Sequence, residues 1–143
     1  GDKKWDVIYF NSGIHDLTRQ NEQGKKGDAY PNRTPLALYE ENLLLIAEFL
    51  KSTDANLVWR SITPFKDGVT GRSNHDMEAY NATAAKVMNE AGIPIHDITK
   101  NNRKKLQSLS NDGVHFNREG NQLLAQLLLG YLIEKGLLAP KNK

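Results

Sequence analysis

Trp5-Asp6-Val7-Ile8-Tyr9-Phe10 is a nearly continuous apolar, β-prone run. A strand buried on both faces requires such a composition, as in a parallel sheet covered by helices. The run ends in Asn11-Ser12-Gly13-Ile14-His15-Asp16, a polar cluster at the strand's carboxyl end. In open α/β sheets that edge is where ligands bind.

Downstream the pattern repeats. Thr18 to Pro35 is polar, rich in Gly, Asn and Lys, and long for a connection inside a compact domain. Loops of that length are functional lids or surface excursions, and Asp28, Tyr30 and Arg33 lie within reach of a substrate in the first case. Thr34-Pro35 opens a helix, with Thr34 as cap and Pro35 at the first helical position. Leu43, Ile46, Ala47 and Leu50 form its apolar stripe. Leu57 to Ile62 reads as a second strand, stopped by Thr63-Pro64. Arg60 within it is either a sheet-edge residue or a ligand for something anionic.

A loop from Phe65 to Asn74 leads to a second helix, capped by Ser73 or Asn74. Met77, Tyr80, Ala84, Val87, Met88 and Ala91 make its apolar stripe, and Gly92 stops it. Ile93 to Asp97 is a short third strand, with Pro94 tolerated only at an edge. His96 and Asp97 are adjacent in that strand and so point to opposite faces. Thr99 to Leu109 is read as a surface helix. A last helix carries Leu123, Leu124, Leu127, Leu128, Tyr131 and Leu132. Strands alternating with helices in this way predict an α/β fold with a parallel sheet and right-handed crossovers.

Just before the last helix stands Asn111-Asp112-Gly113-Val114-His115-Phe116-Asn117. An Asp three residues from a His can accept the hydrogen bond from one ring nitrogen. The other nitrogen is then free to take a proton from a hydroxyl nucleophile. Gly113 allows the tight turn that brings the two together. A plainer reading has Asn117 capping the helix and Asp112 merely shaping a turn.

The 143 residues are enough for one domain with a real core, and 38% hydrophobic with 25% charged residues is an ordinary globular balance. A net charge of +2 gives no argument for nucleic acid or an anionic membrane as partner. No apolar run approaches the ~20 residues of a membrane span. With zero cysteines, disulfides and thiolate metal sites are excluded, while the compartment, exported or periplasmic places included, stays open. His15, Asp16, Asp112 and His115 are suitable metal ligands by type, but their spacing matches no metal motif.

With both polar clusters in hand, the chain resembles the SGNH hydrolases, also called the GDSL esterase/lipase family. The family's D-x-x-H block fits Asp112 to His115. Its G-x-N-D block, placed just after a core strand, fits Gly13-Ile14-His15-Asp16, with His15 where the oxyanion-hole Asn stands. The resemblance covers essentially all of residues 1–143 as a single domain. It implies a three-layer α/β/α flavodoxin-like parallel sheet whose first strand-helix-strand unit is missing from this chain. The family's nucleophilic Ser sits in a G-D-S block, and Gly1-Asp2 is followed by Lys3. Ser12 has no family precedent as a substitute.

The resemblance further implies a serine esterase that removes short acyl groups, acetyl among them, from a small-molecule or carbohydrate ester. Asp112 and His115 complete a triad whose Ser lies on a second polypeptide segment. Gly13 and His15 belong to the oxyanion hole, and Asn11, Asp16 and Tyr30 to substrate binding. No metal or organic cofactor is needed. The alternative is an esterase-like module that binds carbohydrate without cleaving it. In either case the chain alone is expected to be nearly inactive, and the Trp5 to Phe10 strand to have an unpaired apolar edge.

Overall fold

The strand β1 (Val7–Phe10) pairs in parallel with β2 (Asn56–Arg60), and β2 with β3 (Ile95–His96), so the order along the sheet follows the chain. These elements belong to a computed structural model that describes residues 4–138. Gly1-Asp2-Lys3, which begins like a G-D-S block, lies outside the described residues. Among the described residues four helices accompany the sheet: α1 (Leu36–Lys51), α2 (Asn74–Glu90), α3 (Arg103–Ser108) and α4 (Arg118–Glu134). None is long and apolar enough to cross a membrane.

The register sets Val7 beside Asn56 and Phe10 beside Trp59, then Trp59 beside Ile95 and Arg60 beside His96. Side chains alternate across a strand, so the sheet has two unlike faces. Ile8, Phe10, Leu57, Trp59 and Ile95 join one apolar cluster with Tyr39, Leu43 and Ala47 of α1 and Tyr80, Ala84 and Val87 of α2. The opposite face carries Tyr9 and His96, whose hydroxyl and Nδ1 lie 2.8 Å apart. There Tyr131 of α4 stacks on the His96 ring at 4.2 Å between centroids. Helices on both faces of a parallel sheet make the three-layer α/β/α arrangement.

Several elements are shorter than their sequence patterns. The third strand keeps only Ile95–His96, and α3 begins at Arg103. Asp97 is the reason for the late start: its Oδ1 accepts from the Thr99 and Lys100 N–H groups and the Thr99 hydroxyl, a turn that competes with a helix at Thr99. Helix α1 begins one residue later than expected, with Pro35 at the cap and no side-chain capping bond. Ser73 caps α2 by accepting from the Asp76 N–H.

The outer helix differs most from expectation. Leu123, Leu124, Leu127, Leu128 and Leu132 are half-buried, Leu129 is exposed, and only Gly120 is fully covered. On α1 the stripe residue Ile46 is exposed, together with Leu45 at 65% and Phe49 at 70%, and Trp5 beside β1 is 62% exposed. Among the described residues β1 pairs on one side only.

The long 17–35 excursion is pinned to the body. Arg19 makes a two-toothed ion pair with Asp76, at 2.8 and 2.9 Å, and donates to the Asp28 carbonyl. Asp28 Oδ1 in turn accepts from the Gly71 N–H at 2.6 Å, which ties the excursion to the 65–74 loop. Burial of Asp76 works against its charge, but the bonds from Arg19, Asn32 and Ser73 outweigh it and hold the carboxyl below its ordinary range.

A carboxyl with a depressed folded-state pKa contributes stability above its unfolded value, near 3.9, and loses it as pH falls below. Because the Arg19 side chain is 34% exposed, solvent weakens the pair. Asp76→Asn should lower unfolding stability by about 2 kcal/mol at neutral pH, measured by urea denaturation. The difference from the wild type should close below about pH 4.

Candidate active site

Parallel strands all deliver their carboxyl ends to one rim of the sheet. Here that rim receives the turn after β1, the 65–74 loop after β2 and the segment before α4. A cavity of about 600 Å³ opens among them, lined by His15, Thr18, Arg33, Arg72, Asp112 and His115 together with their neighbours.

The Asp112 carboxylate organises its own surroundings. Oδ1 accepts from the backbone N–H groups of Val114 at 2.9 Å and His115 at 2.7 Å. Oδ2 lies 2.7 Å from His115 Nδ1. The two readings of this stretch therefore coexist: Asp112 shapes the turn with one oxygen and engages the imidazole with the other. Asn117 caps α4 as well, its Oδ1 accepting from the Gly120 N–H. The His115 carbonyl is held by the Asn111 N–H and the Ser110 hydroxyl.

The backbone bond from His115, then its ring, then the Val114 N–H hold the Asp112 carboxyl far below the ordinary carboxylate range. It stays ionised through mild acid. An anion at Nδ1 selects the neutral tautomer with its proton on that nitrogen. Nε2 then presents a lone pair, and among the described residues it has no protein partner. The pair is exposed, at 57% for Asp112 and 80% for His115, so it adds little to stability and its consequence is orientation.

Two glycines make the arrangement possible. Gly113 has φ +86°, and a Cβ there would lie 2.3 Å from Val69 Cγ2. Gly13 has φ +119°, and its Cβ would lie 2.4 Å from Ile62 Cδ1. After Gly13 the chain closes a turn, Leu17 N–H donating to the Gly13 carbonyl, and His15 projects exposed into the cavity.

The remaining residues singled out in the sequence are dispersed. Gly13 is buried against Ile62 and Tyr39 and does not line the cavity. Asn11 turns away: its Nδ2 donates to the Arg60 carbonyl and its Oδ1 accepts from Arg60 Nη2 at 3.1 Å. Arg60 is thus a half-buried sheet residue held by an amide. Asp16 and Ser12 line a separate hollow beside Tyr39 and α1, so Asp16 does not join His15, Asp112 and His115. Tyr30 packs over Gly27, outside the cavity wall.

Sequence reading missed Arg72, Val69 and Lys26, which do line it. Arg72 lies in a segment read only as a flexible loop. Its Nε donates to Thr18 Oγ1 at 3.0 Å and its guanidinium sits 5.6 Å from the Phe65 ring centroid. Nothing in the local pattern marks that role.

Residues 1–128 match the family described as GDSL-like Lipase/Acylhydrolase. No curated protein sequence matches significantly. Among solved structures, a lipase/acylhydrolase from Enterococcus faecalis aligns at a TM-score of 0.72 and 20% identity, over 96% of this chain and 65% of that one. An acetyl xylan esterase aligns at 0.68 and 16%, over 89% of this chain and 67% of that one. A variant of an acetyl-xylooligosaccharide esterase from Geobacillus Stearmophilus aligns at 0.69 and 19%, over 89% and 59%. At these identities the likeness speaks for the fold, and the chain spans less than two thirds of the length of the Enterococcus structure.

Gly113→Ala should destabilise the chain by about 2 kcal/mol in denaturant melts, since it combines left-handed backbone strain with a clash at Val69. Nitrogen-15 correlation spectra should find the neutral His115 protonated at Nδ1, and Asp112→Ala should move its tautomer population toward Nε2–H.

Proposed function

The chain belongs to the GDSL-like lipase/acylhydrolase family, and from that premise we propose that it forms the His–Asp half of a serine esterase acting on short acyl esters. The observation that carries the reading is the 2.7 Å contact between Asp112 Oδ2 and His115 Nδ1 on the rim of a cavity shared with His15.

In this reading a serine hydroxyl attacks the ester carbonyl while His115 Nε2 takes its proton. The carbonyl becomes a tetrahedral oxyanion. Its collapse breaks the bond to the alcohol oxygen, which recovers the proton from His115. Water then repeats the sequence on the acyl-serine and releases the acid. Asp112 stabilises the imidazolium that forms in each half. A proton-bearing nitrogen of His15 supplies an oxyanion donor, worth about 10²–10³ in rate.

The nucleophile belongs, on this proposal, to a G-D-S-bearing segment outside these residues that pairs along the free edge of β1. The exposed apolar side chains of Trp5 beside β1, and of Leu45 and Phe49 on α1, support it. Buried by a strand-helix-strand unit, they would no longer face water. Ser12 and Asp16, in the hollow beside Tyr39 and α1, would face the incoming segment, with Asp16 reaching substrate there, whereas Asn11 stays tied to Arg60. Tyr30 would meet only a substrate long enough to pass the 17–35 wall.

Two structural neighbours are named as acetyl xylan or acetyl-xylooligosaccharide esterases. Together with the polar cavity wall they favour an acetylated saccharide over a long-chain lipid ester. Co-expression with a segment carrying G-D-S should restore hydrolysis of p-nitrophenyl acetate, and His115→Ala should remove roughly 10⁴-fold or more of kcat. Asp112→Asn should fall by a similar factor through loss of the tautomer. A complex that assembles and binds saccharide but hydrolyses no ester would instead identify a non-catalytic carbohydrate-binding module.

A further inference from the structure

The cavity wall carries a charge pattern that ester hydrolysis does not require. Lys26, Arg33 and Arg72 line it, and its one carboxylate, Asp112, already serves two backbone donors and an imidazole. Among the described residues none of the three cations has a carboxylate within ion-pair distance. Arg19, a few residues away, shows the contrast, with both its Nε and Nη2 matched by Asp76.

Arg72 is the informative member. It is half-buried, fixed by the Thr18 hydroxyl at 3.0 Å and by the Phe65 ring. A guanidinium drawn partly out of water without a counter-ion costs free energy, and burial accordingly pulls its pKa down, with the Asp112 charge opposing. Its planar fork is held ready for a bidentate anion. Arg33 and Lys26 are exposed on the same wall, and a concave site with an excess of positive charge concentrates negative charge in a ligand.

We propose that this cleft selects esters that carry an anionic group, a carboxylate or a phosphate on a saccharide, held by Arg72, Arg33 and Lys26 while the ester lies at His115. The inference rests on the esterase reading for where the ester sits. The volume of about 600 Å³ suits a few sugar units.

Calorimetric titration of the chain with trigalacturonate, trehalose 6-phosphate and neutral xylotriose tests it without needing turnover. At least one anionic probe should bind on the order of tenfold more tightly than xylotriose in about 50 mM salt, and the advantage should shrink near 0.5 M. The tighter of the two anionic probes identifies the carboxylate or the phosphate as the preferred group. Arg33→Gln and Lys26→Gln, both at exposed positions, should each reduce the preference by several-fold without changing Tm. Arg72→Gln should reduce it most, and Arg72→Lys should recover part. If Arg72→Gln does not fold, the two exposed variants still decide.

Equal affinity for neutral and anionic probes, no binding of either anionic probe, or a preference unmoved by these substitutions would overturn the proposal. Failure of the esterase reading looks different: the anionic preference persists while the reconstituted complex hydrolyses nothing.

Discussion

Parallel pairing of Val7–Phe10 with Asn56–Arg60, and of that strand with Ile95–His96, is the constraint on which the rest of the molecule depends. Because every strand runs the same way, each connection must cross back over a face, and each strand ends at the same rim. The turn at 13–17, the loop at 65–74 and the segment at 110–117 are therefore neighbours although they are far apart in the chain. Chemistry at that rim is a consequence of strand direction before it is a consequence of any side chain.

Within the rim, one carboxylate does two jobs that are usually separate. Asp112 closes the turn through Oδ1 and aligns the imidazole through Oδ2, so backbone shape and side-chain orientation have a single cause. The price is a backbone only glycine tolerates at position 113, pressed against Val69. Such a pair contributes little to folding because it is exposed, which fits a group kept for orientation of a reacting atom.

The free edge of β1 and the half-covered α4 express the same fact from two sides. A parallel sheet is normally buried on both faces and flanked by further strands. Here the face under α1 and α2 is covered by a cluster of buried residues, whereas Leu129 and Ile133 of α4 and Trp5 beside β1 stay exposed. The asymmetry between the two layers is what supports a further segment in the proposed complete enzyme.

Local pattern alone determined the three-strand, alternating α/β order, the core stripe of α2, the stop at Gly92 and the Asp112–His115 pair, because hydrophobic period, glycine and short-range hydrogen bonding act over a few residues. It also separated His96 from Asp97 by strand alternation, and in the structure the first meets Tyr9 while the second turns toward Ser61 and Thr99. Tertiary structure alone decided that His15 shares a cavity with His115 while Asn11, Asp16 and Tyr30 do not. It alone exposed Ile46 and left the stripe leucines of α4, Leu123, Leu124, Leu127, Leu128 and Leu132, only half-buried. Arg72 joined the cavity for the same kind of reason: its partners, Thr18 and Phe65, are fixed by the pinning of one long loop against another, and contacts between distant segments leave no periodicity in the chain to read.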